Sequence, residues 1–355
     1  MSRADRVSER LAARGLDLLL VSDLTNVRYL TGFTGSNALA VLGRDVRRFL
    51  TDFRYVERAK AEVTDFDREQ APQDLLAALA DGWPPGTLRV GFEDDHLSVR
   101  THRRLRETLP VRVDLVAAGG IVEAERQVKE TEEIERIRAA AALADEVYGW
   151  LREHGLAGRT ERDVAVALEH RMRELGAEGP SFASIVASGE RSALPHAVPA
   201  DVPIAPDALV TLDIGARVDG YCSDCTRTWA TGSLPEPLVE AYGLVRRAQA
   251  EALAAVRPGL EGRTVDAVAR EIIDGAGHGE HFGHGLGHGV GLDVHEGPRL
   301  ARTSETALTA GNVVTVEPGV YLPGLGGVRI EDLVVVAEDG PEVLSGTAKD
   351  LQTVA

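Results

Sequence analysis

The segment His281–Pro298 reads HFGHGLGHGVGLDVHEGP and carries four histidines, with glycine at every second position from 283 to 291. His284 and His288 have the i, i+4 spacing of a helical zinc site, but glycine is a poor helix former and argues against a helix here. An extended chain places His284 and His288 on one face, and His281 and His295 on the other. Glycine also lets the backbone approach a bound group closely. We therefore expect the four histidines to have different roles, with His281 structural.

The length and charge of the chain narrow its class. With 355 residues, 44% of them hydrophobic and 27% charged, it has the composition of a globular protein of about two domains. Its formal net charge is −17. Phosphate backbones and anionic membrane surfaces are bound by clustered Lys and Arg, which this chain does not show. We therefore expect neither a nucleic-acid partner nor a membrane partner.

The amino-terminal segment shows no targeting signal. Its apolar run extends only from Leu16 to Val21 and contains Asp17, so it is too short for the core of a signal peptide. No stretch of 18 apolar residues occurs in the sequence, so no membrane span is predicted. The expected location is the cytoplasm.

Cys222 and Cys225 form a C-x-x-C pair in the sequence YCSDCTRT. Such a pair serves as a redox couple or as half of a zinc site in other proteins. The surrounding Thr, Tyr and Trp residues indicate a strand, where residues three apart point to opposite faces, and the chain has no other cysteine. We therefore interpret both cysteines as packing residues.

The chain divides into two domains at a change of composition. Alternating helical and strand patterns before Gly119 and Gly120 predict a small α/β domain over residues 1–122. Residues 123–355 begin with a charged helical stretch and continue into strands. Apolar spacing of three and four residues predicts three helices in this second domain, over residues 129–154, 160–175 (capped by Thr160) and 235–255.

Two aspartates occupy neighbouring strand patterns in the second domain. Asp213 lies in the apolar run LVTLDIG, and Asp224 follows it across the turn signal VDG. In a hairpin with an even loop, positions whose numbers have an odd sum lie on the same face, and 213 and 224 sum to an odd number. Two carboxylates on one face repel each other unless a positive group lies between them.

Two glutamates repeat this pattern. Glu317 lies in VVTVEPG and Glu331 in GGVRIEDLVVV, each within or beside an apolar strand. Four carboxylates with one imidazole form a hard, oxygen-rich set that suits Mn²⁺, Fe²⁺ or Co²⁺ better than a single structural zinc. Two divalent ions with bridging carboxylates use all four acids and offset their repulsion.

These segments, in this order, resemble the aminopeptidase P and prolidase branch of the pita-bread metallopeptidases. The resemblance is carried by SFASIVASGERSALPH, LVTLDIGARVDGYCSDCTRT, HFGHGLGHGVGLDVHEGP, VVTVEPGVY and GGVRIEDLVVV. The amino-terminal VRYLTGFTGSNALAVL and RFLTDFRYVERA resemble the domain that those enzymes share with creatinase. The resemblance implies an α+β protein with a carboxy-terminal pita-bread catalytic domain, preceded by a smaller creatinase-type α/β domain.

The resemblance also assigns roles to individual residues. It implies two divalent ions, manganese first and cobalt, zinc or iron as alternatives, held by Asp213, Asp224, His288, Glu317 and Glu331. In this pattern Asp224 and Glu331 bridge the ions, a hydroxide between the ions is the nucleophile, and Glu317 also accepts the proton of that nucleophile. The expected catalytic helpers are His295, which stabilises the oxyanion, and His196 and His284, which position substrate and assist proton transfer to the proline nitrogen. Tyr321 and Arg329 are expected to orient the ligating carboxylates.

Several activities fit this set of residues. The main expectation is an aminopeptidase that releases the residue before proline from the amino terminus of peptides, and the alternative is a dipeptidase restricted to Xaa-Pro. A dipeptidase needs a cation for the free carboxylate of the substrate, and Arg299 is the candidate. A creatinase-like C–N hydrolase and a binding protein without catalysis fit less well, since all five expected ligands are present. A methionine aminopeptidase is disfavoured, because those enzymes lack the first domain. A proline-containing peptide is the expected substrate, and relatives suggest a homodimer.

Overall fold

The computed structural model describes residues 1–354. Contacts between Cα atoms divide the chain into two compact units, Met1–Arg126 and the part that begins at Gln127. The sequence analysis places the boundary slightly earlier, after residue 122. We call the two parts the amino-terminal unit and, after the domain that the resemblance implies, the catalytic unit, and describe each by itself.

The amino-terminal unit alternates helices and strands. Its helices are α1 (Arg3–Ala13), α2 (Leu24–Thr31), α3 (Val56–Glu62), α4 (Val99–Thr108) and α5 (Ile121–Arg126). Its strands are β1 (Leu18–Val21), β2 (Ala38–Gly43), β3 (Arg47–Asp52), β4 (Asp67–Ala71), β5 (Leu88–Phe92) and β6 (Val113–Ala117). Short 3₁₀ helices span Phe53–Tyr55 and Leu75–Ala80.

These six strands form one mixed sheet in the order β4-β3-β2-β1-β5-β6. The pairs β1–β2 and β2–β3 are antiparallel, whereas β1–β5, β5–β6 and β3–β4 are parallel. Parallel neighbours need crossover connections, which explains why helical segments separate them in the sequence. The sequence LLLV of β1 is buried at every position, as expected for a central strand covered on both faces.

Within residues 127–354 the catalytic unit has four α-helices, three of which are predicted from the sequence. They are α6 (Thr131–His154), α7 (Glu161–Glu174), α8 (Glu236–Ala255) and α9 (Gly262–Gly275). Thr160 caps α7 as predicted, because its hydroxyl accepts from the amide of Asp163 and the Asp163 carboxylate accepts from the amide of Thr160. The sequence analysis missed α9, which packs against α8.

Strands make up most of the rest of the catalytic unit. They are β7 (Gly179–Pro180), β8 (Ile185–Ser188), β9 (Leu209–Ile214), β10 (Ala216–Val218), β11 (Tyr221–Cys222), β12 (Cys225–Ala230), β13 (Gly287–Gly289), β14 (Glu296–Leu300), β15 (Val313–Val316), β16 (Gly319–Leu322), β17 (Gly326–Arg329), β18 (Asp332–Ala337) and β19 (Gly340–Val343). They form sheets in the orders β12-β9-β8, β14-β13-β15-β18-β19, β11-β10-β7 and β16-β17. Further 3₁₀ helices span Gly189–Ala193 and Gly279–His281.

Two hydrophobic cores support these sheets. One contains β9 and β12 residues with α6 and α7 and includes Trp229, and the other joins α8 and α9 to β15, β17 and β18. Apolar side chains on one face of each sheet fill these cores, so the strands can carry polar residues on their other face. Among residues 1–354, no helix combines the length and the apolar character needed to cross a membrane.

Candidate metal centre

A cavity of about 520 Å³ in the catalytic unit brings together nearly all the site residues predicted from the sequence. It is lined by ten of them, namely His196, Asp213, Asp224, His284, His288, His295, Arg299, Glu317, Arg329 and Glu331. Tyr321 does not line the cavity, but its hydroxyl lies 2.9 Å from His284 Nε2. His281 does not line it either and instead lies beside His278, with 3.1 Å between their Nδ1 atoms.

The two aspartates reach the cavity from one hairpin. Strands β9 and β12 pair antiparallel with Thr226 opposite Asp213, and Asp224 lies two residues before Thr226. Side chains alternate along a strand, so Asp213 and Asp224 project from the same face, as the parity of their numbers predicts. Gly215 is required in this hairpin, because a Cβ there would collide with the carbonyl oxygen of Ser223.

The other three candidate ligands come from the larger sheet. His288 is the central residue of the short strand β13, Glu317 directly follows β15, and Glu331 directly precedes β18. Strand β13 pairs with β15, and β15 with β18, so the three residues converge at one end of these strands. Gly287 is needed for close pairing, because a Cβ there would overlap the carbonyl oxygen of Thr315. The glycines of this segment therefore allow the neighbouring strand to approach closely, and they also leave space at the cavity.

The distances between donor atoms are short. Asp224, His288 and Glu331 each offer one ligand atom within 4.8 Å of the others, and all three residues are buried. His288 Nε2 lies 3.3 Å from Glu317 Oε1 and 3.6 Å from Asp224 Oδ2. The other ring nitrogen, Nδ1, lies 3.1 Å from the carbonyl oxygen of Gly289. Both ring nitrogens thus face oxygen atoms, which requires either a second ring proton or a cation beside Nε2.

Crowding perturbs the carboxyl groups. Burial, followed by the charges of neighbouring carboxylates, raises the pKa of Asp224 and the pKa of Glu331 well above their usual range. Burial also acts to raise the pKa of Glu317, but the hydrogen bond and charge of His288 outweigh it and lower that pKa. Ionisation of all the carboxyl groups in the cluster is therefore unfavourable, and a bound divalent cation would offset the repulsion between their charges.

Two buried carboxylate oxygens that have no hydrogen-bond partner in the described part of the chain are suited to bind metal ions. The buried atoms Asp213 Oδ1 and Glu331 Oε1 have no hydrogen-bond partner among residues 1–354. Buried carboxylate oxygens are rarely left without a partner, because the loss of solvation is costly. In each case the second oxygen is held, Asp213 Oδ2 by Arg329 and Glu331 Oε2 by Thr226. The free oxygens thus suit ligands of hard divalent cations.

Arg329 connects several parts of the site. Its guanidinium donates to Asp213 Oδ2 at 2.7 Å, to the hydroxyl of Tyr321 at 2.9 Å and to the hydroxyl of Thr226 at 3.0 Å. It also donates to the carbonyl oxygen of Pro195, the residue before His196. The planar fork of arginine allows one side chain to hold these groups together. Arg329 is therefore bonded to Asp213, the contact that an orienting role requires.

These bonds define the protonation of His284. Its Nδ1 lies 2.8 Å from the carbonyl oxygen of Gly285, which only accepts, so Nδ1 carries a proton. Tyr321 accepts from Arg329, so its own proton is available to His284 Nε2. Burial lowers the pKa of His284, which keeps the ring neutral. Both of its ring nitrogens are therefore engaged within the protein.

His295 and His196 differ from His284. Both are exposed, and neither ring forms a hydrogen bond with any of residues 1–354. The ring of His295 packs edge-on against His288, with 4.3 Å between centroids. Partial burial and the nearby charges of His288 and Arg299 lower the pKa of His295. A neutral ring with free nitrogens is suited to contact a substrate.

Two threonines have functions that the sequence analysis missed. Thr226 donates to Glu331 Oε2 at 2.7 Å, and Thr315 donates to Glu317 Oε1 at 3.0 Å. Both are fully buried, and Thr315 also accepts from the amide of His288. Their signal in the sequence is a threonine two residues from an acidic ligand, as in the segments DCT and TVE, because such residues share a strand face. They hold carboxylates in fixed orientations.

The two cysteines are packing residues, as predicted. Both are free and buried, and no disulfide joins them. Cys222 Sγ lies 3.6 Å from the carbonyl oxygen of Leu292, and Cys225 Sγ lies 3.7 Å from that of Glu331. Burial raises the pKa of Cys222 to about 11 and the pKa of Cys225 well above its usual value. Neither thiol has the thiolate character of a reactive or metal-binding cysteine.

Comparison with known proteins extends these findings. Residues 135–338 match the model of metallopeptidase family M24, and residues 3–128 match the creatinase/prolidase N-terminal domain. An Xaa-Pro dipeptidase of Pyrococcus furiosus is 36% identical over 98% of this chain and 99% of its own.

Solved structures agree over the same length. An Xaa-Pro dipeptidase from Bacillus anthracis has a TM-score of 0.94 and 37% identity, covering 99% of each chain. An X-Pro aminopeptidase from Thermotoga maritima has a TM-score of 0.88 and 35% identity, covering 98% of this chain and 99% of its own. The expected pita-bread catalytic domain with a creatinase-type amino-terminal domain is confirmed. This chain belongs to metallopeptidase family M24.

Proposed function

We propose that this protein hydrolyses Xaa-Pro dipeptides, the alternative that the sequence analysis weighed beside an Xaa-Pro aminopeptidase. The observation that carries the proposal is Arg299, which lines the same cavity as the carboxylate cluster. Arg299 is exposed and has no ion-pair partner among residues 1–354. The only other arginine that lines the cavity, Arg329, is bonded to Asp213 and its neighbours.

A free carboxylate follows proline directly in an Xaa-Pro dipeptide but not in a longer peptide. A guanidinium binds a carboxylate through two parallel hydrogen bonds, so Arg299 favours the dipeptide. A cavity of about 520 Å³ suits a small molecule. The dipeptidases of Pyrococcus furiosus and Bacillus anthracis support this specificity, whereas the similar Thermotoga maritima protein is called an aminopeptidase.

We assign Asp213, Asp224, His288, Glu317 and Glu331 as ligands of two divalent cations, with manganese the first candidate. When bound, such ions polarise the scissile carbonyl and make water a better nucleophile at neutral pH. Glu317 is ionised, since its pKa is lowered, and it accepts the proton that the attacking water loses. Asp224 and Glu331 lie with His288 in one buried cluster of potential ligand atoms and would hold the ions there.

We assign a different role to each of three histidines in the cavity. His295 is neutral with free ring nitrogens, and it donates a hydrogen bond to the oxygen of the scissile carbonyl as negative charge develops there. His196 is exposed in the cavity and is the better candidate for proton transfer to the proline nitrogen. His284 was also expected to assist that transfer, but its ring nitrogens are bonded to Gly285 and Tyr321. We therefore assign His284 a positioning role.

A substrate comparison tests the proposal. Protein stripped of metal and reloaded with Mn²⁺ is given Leu-Pro, Leu-Pro-amide and Leu-Pro-Gly, and release of leucine is measured. Dipeptide hydrolysis should be favoured, and Arg299→Met should raise KM for Leu-Pro by about 10- to 100-fold, the worth of a charged hydrogen bond, without changing KM for Leu-Pro-amide.

The outcomes separate the alternatives. Equal or faster cleavage of Leu-Pro-Gly identifies an aminopeptidase and rejects the dipeptidase assignment. Cleavage of none of the three substrates with Mn²⁺, Co²⁺, Zn²⁺ or Fe²⁺ rejects Xaa-Pro hydrolysis. Arg299→Lys is the matched control, because it keeps the charge but loses the paired hydrogen bonds, and we expect an intermediate KM.

A further inference from the structure

The catalytic unit contains a buried ion pair that is separate from the carboxylate cluster. Lys129 Nζ lies 2.6 Å from Glu296 Oε1, and the two side chains are 1% and 8% exposed. Glu296 directly follows His295 in the sequence. We propose that Lys129 is a positioning residue that acts through Glu296 to hold His295 in the cavity; the kinetic part of this inference rests on the proposed function.

His295 needs such support because its own ring is held by little else. Neither ring nitrogen has a hydrogen-bond partner among residues 1–354, and the ring packs against the ring of His288. Nitrogens that are left free can meet a substrate, but they cannot fix the direction of the side chain. The position of His295 therefore depends on its backbone, which the neighbouring residue Glu296 anchors.

The backbone segment that carries Lys129 is itself held by hydrogen bonds. The amide of Lys129 donates to the carbonyl oxygen of Gly311 at 2.9 Å, and the carbonyl oxygen of Gln127 accepts from Asn312 Nδ2 at 2.9 Å. Residues 127–129 are thus tied to the turn that leads into β15, the strand that ends beside Glu317. One short segment therefore links the backbone that carries His295 to the backbone that carries Glu317.

Two glycines fit closely around this connection. A Cβ at Gly297 would lie 2.7 Å from Gln127 Nε2, and a Cβ at Gly291 would overlap the carboxylate of Glu296. A side chain at either position would displace the end of Gln127 or of Glu296, and glycine leaves both ends in place. Glu296 is thus held between Lys129 and the backbone of the histidine-rich segment.

The energetics favour a geometric role over a purely stabilising one. The desolvation of two charges cancels much of their attraction, so a buried ion pair adds little stability compared with well-packed apolar residues. Removing one partner is costly, because the other charge is then buried alone. Replacing both partners together avoids that cost, which allows stability to be separated from the placement of His295.

Three variants use this separation: Lys129→Met, Lys129→Arg and the double variant Lys129→Met with Glu296→Gln. For Leu-Pro with Mn²⁺, we expect Lys129→Met to lower kcat by about 10- to 100-fold with little change in KM, because a misplaced group loses transition-state contacts. Lys129→Arg should recover much of kcat. The double variant should regain the melting temperature of the wild type but keep a low kcat.

A control pair lies in the amino-terminal unit, where Arg48 bonds both oxygens of Glu69 at 2.7 and 2.9 Å. Arg48→Met with Glu69→Gln should leave kcat unchanged. If kcat recovers together with stability in the Lys129/Glu296 double variant, the pair is only structural and the inference is wrong.

A second readout needs no substrate. In protein labelled with ¹³C at histidine Cε1, the His295 resonance is identified by its absence in His295→Asn. We expect one sharp resonance in the wild type, and a broadened or divided one in Lys129→Met and in the double variant. An unchanged resonance overturns the inference even if the protein cleaves no Xaa-Pro dipeptide, so the two proposals fail separately.

Discussion

Arg329 Nη2 lies 2.7 Å from Asp213 Oδ2, and both side chains are buried. Arg329 holds one oxygen of this carboxylate, whereas the other oxygen has no hydrogen-bond partner within residues 1–354. Burial acts to lower the pKa of Arg329, but the charge of Asp213 and the hydrogen bond to Tyr321 outweigh it, and the pKa is raised well above its usual value. Arg329 therefore keeps its positive charge beside Asp213.

Replacement of Arg329 by Met should destabilise the metal-free protein, because Asp213 is then buried without its cation. Loss of one partner of a buried ion pair costs about 3–5 kcal/mol of unfolding free energy. Urea unfolding in the presence of a chelator measures this loss. Added Mn²⁺ should reduce it, since a cation near Asp213 replaces part of the lost charge; an equal loss with and without Mn²⁺ would contradict a metal role for Asp213.

Arg329→Lys is the matched control. Lysine keeps the charge but cannot reach Asp213, Tyr321 and Thr226 together with one ammonium group. We expect stability between that of the wild type and that of Arg329→Met, with kcat lowered for both variants. A fully active Arg329→Lys protein would show that charge alone is sufficient.

The hydroxyl of Thr226 should matter for metal affinity rather than for folding. Thr226→Val keeps the shape of the side chain but removes the hydrogen bond to Glu331 and the acceptor of Arg329. The loss of a group that orients a metal ligand typically lowers metal affinity by about 10- to 100-fold. Titration of the metal-free protein with Mn²⁺ in a calorimeter measures it.

Thr211→Val is the control for this substitution. Thr211 is also buried on the paired strand, but its hydroxyl makes only long contacts of 3.4 Å, to Thr228 and to the carbonyl oxygen of Gly327. We expect its Mn²⁺ affinity to equal that of the wild type. Equal losses in both variants would indicate a general effect of removing buried hydroxyls.

The sequence predicts the shared face of Asp213 and Asp224 because side-chain alternation is a local property. Asp213 and Asp224 share a face through a parity that follows from strand geometry alone. The placement of Glu317, Glu331 and His288 beside them, by contrast, was implied by the resemblance to known metallopeptidases. Strand pairing across long sequence distances, which brings them together, leaves no such local signal.

Contacts of this long-range kind account for what was missed. Lys129 and Glu296 are separated by 167 positions, and Thr226 and Glu331 by 105. The engaged state of His284 depends on Tyr321 and Arg329, which come from the β16–β17 hairpin. Helix α9, which is not among the predicted helices, lies before the glycine-rich segment, and the spacing of its apolar residues is its signal in the sequence.

The contribution of Asp224 and Glu331 to the stability of the metal-free protein should fall as pH rises. Because the pKa values of these two groups are raised in the folded state, they bind more protons there than in the unfolded chain above the ordinary carboxyl pKa of about 4. This contribution is then lost progressively as pH rises toward the raised pKa values. The lowered pKa values of His284 and His295 act in the opposite direction, so the comparison with a carboxyl variant isolates the carboxyl contribution. Urea unfolding with a chelator, from about pH 5 to about pH 8, measures the slope.

Asp224→Asn provides the comparison for this slope. The amide carries no charge, so it removes one raised pKa and relieves the repulsion on Glu331. We expect a smaller fall in stability over the same pH range. In the wild type, Mn²⁺ should stabilise more at the higher pH, because metal ligands must be deprotonated; a steeper slope in Asp224→Asn would contradict the assigned cause.

The two cysteines should be inert in the folded protein. Cys222 and Cys225 are buried and their thiol pKa values are raised, so little thiolate is available to react. A chromogenic disulfide reagent should therefore detect neither thiol in the native state and both after unfolding in urea. Hydrolysis of Leu-Pro should persist after exposure to the reagent.

Rapid reaction of both native thiols with release of bound metal would contradict this prediction and indicate that the C-x-x-C pair binds metal. In that case Cys222→Ala, which removes one thiol without adding bulk, would lower the metal content.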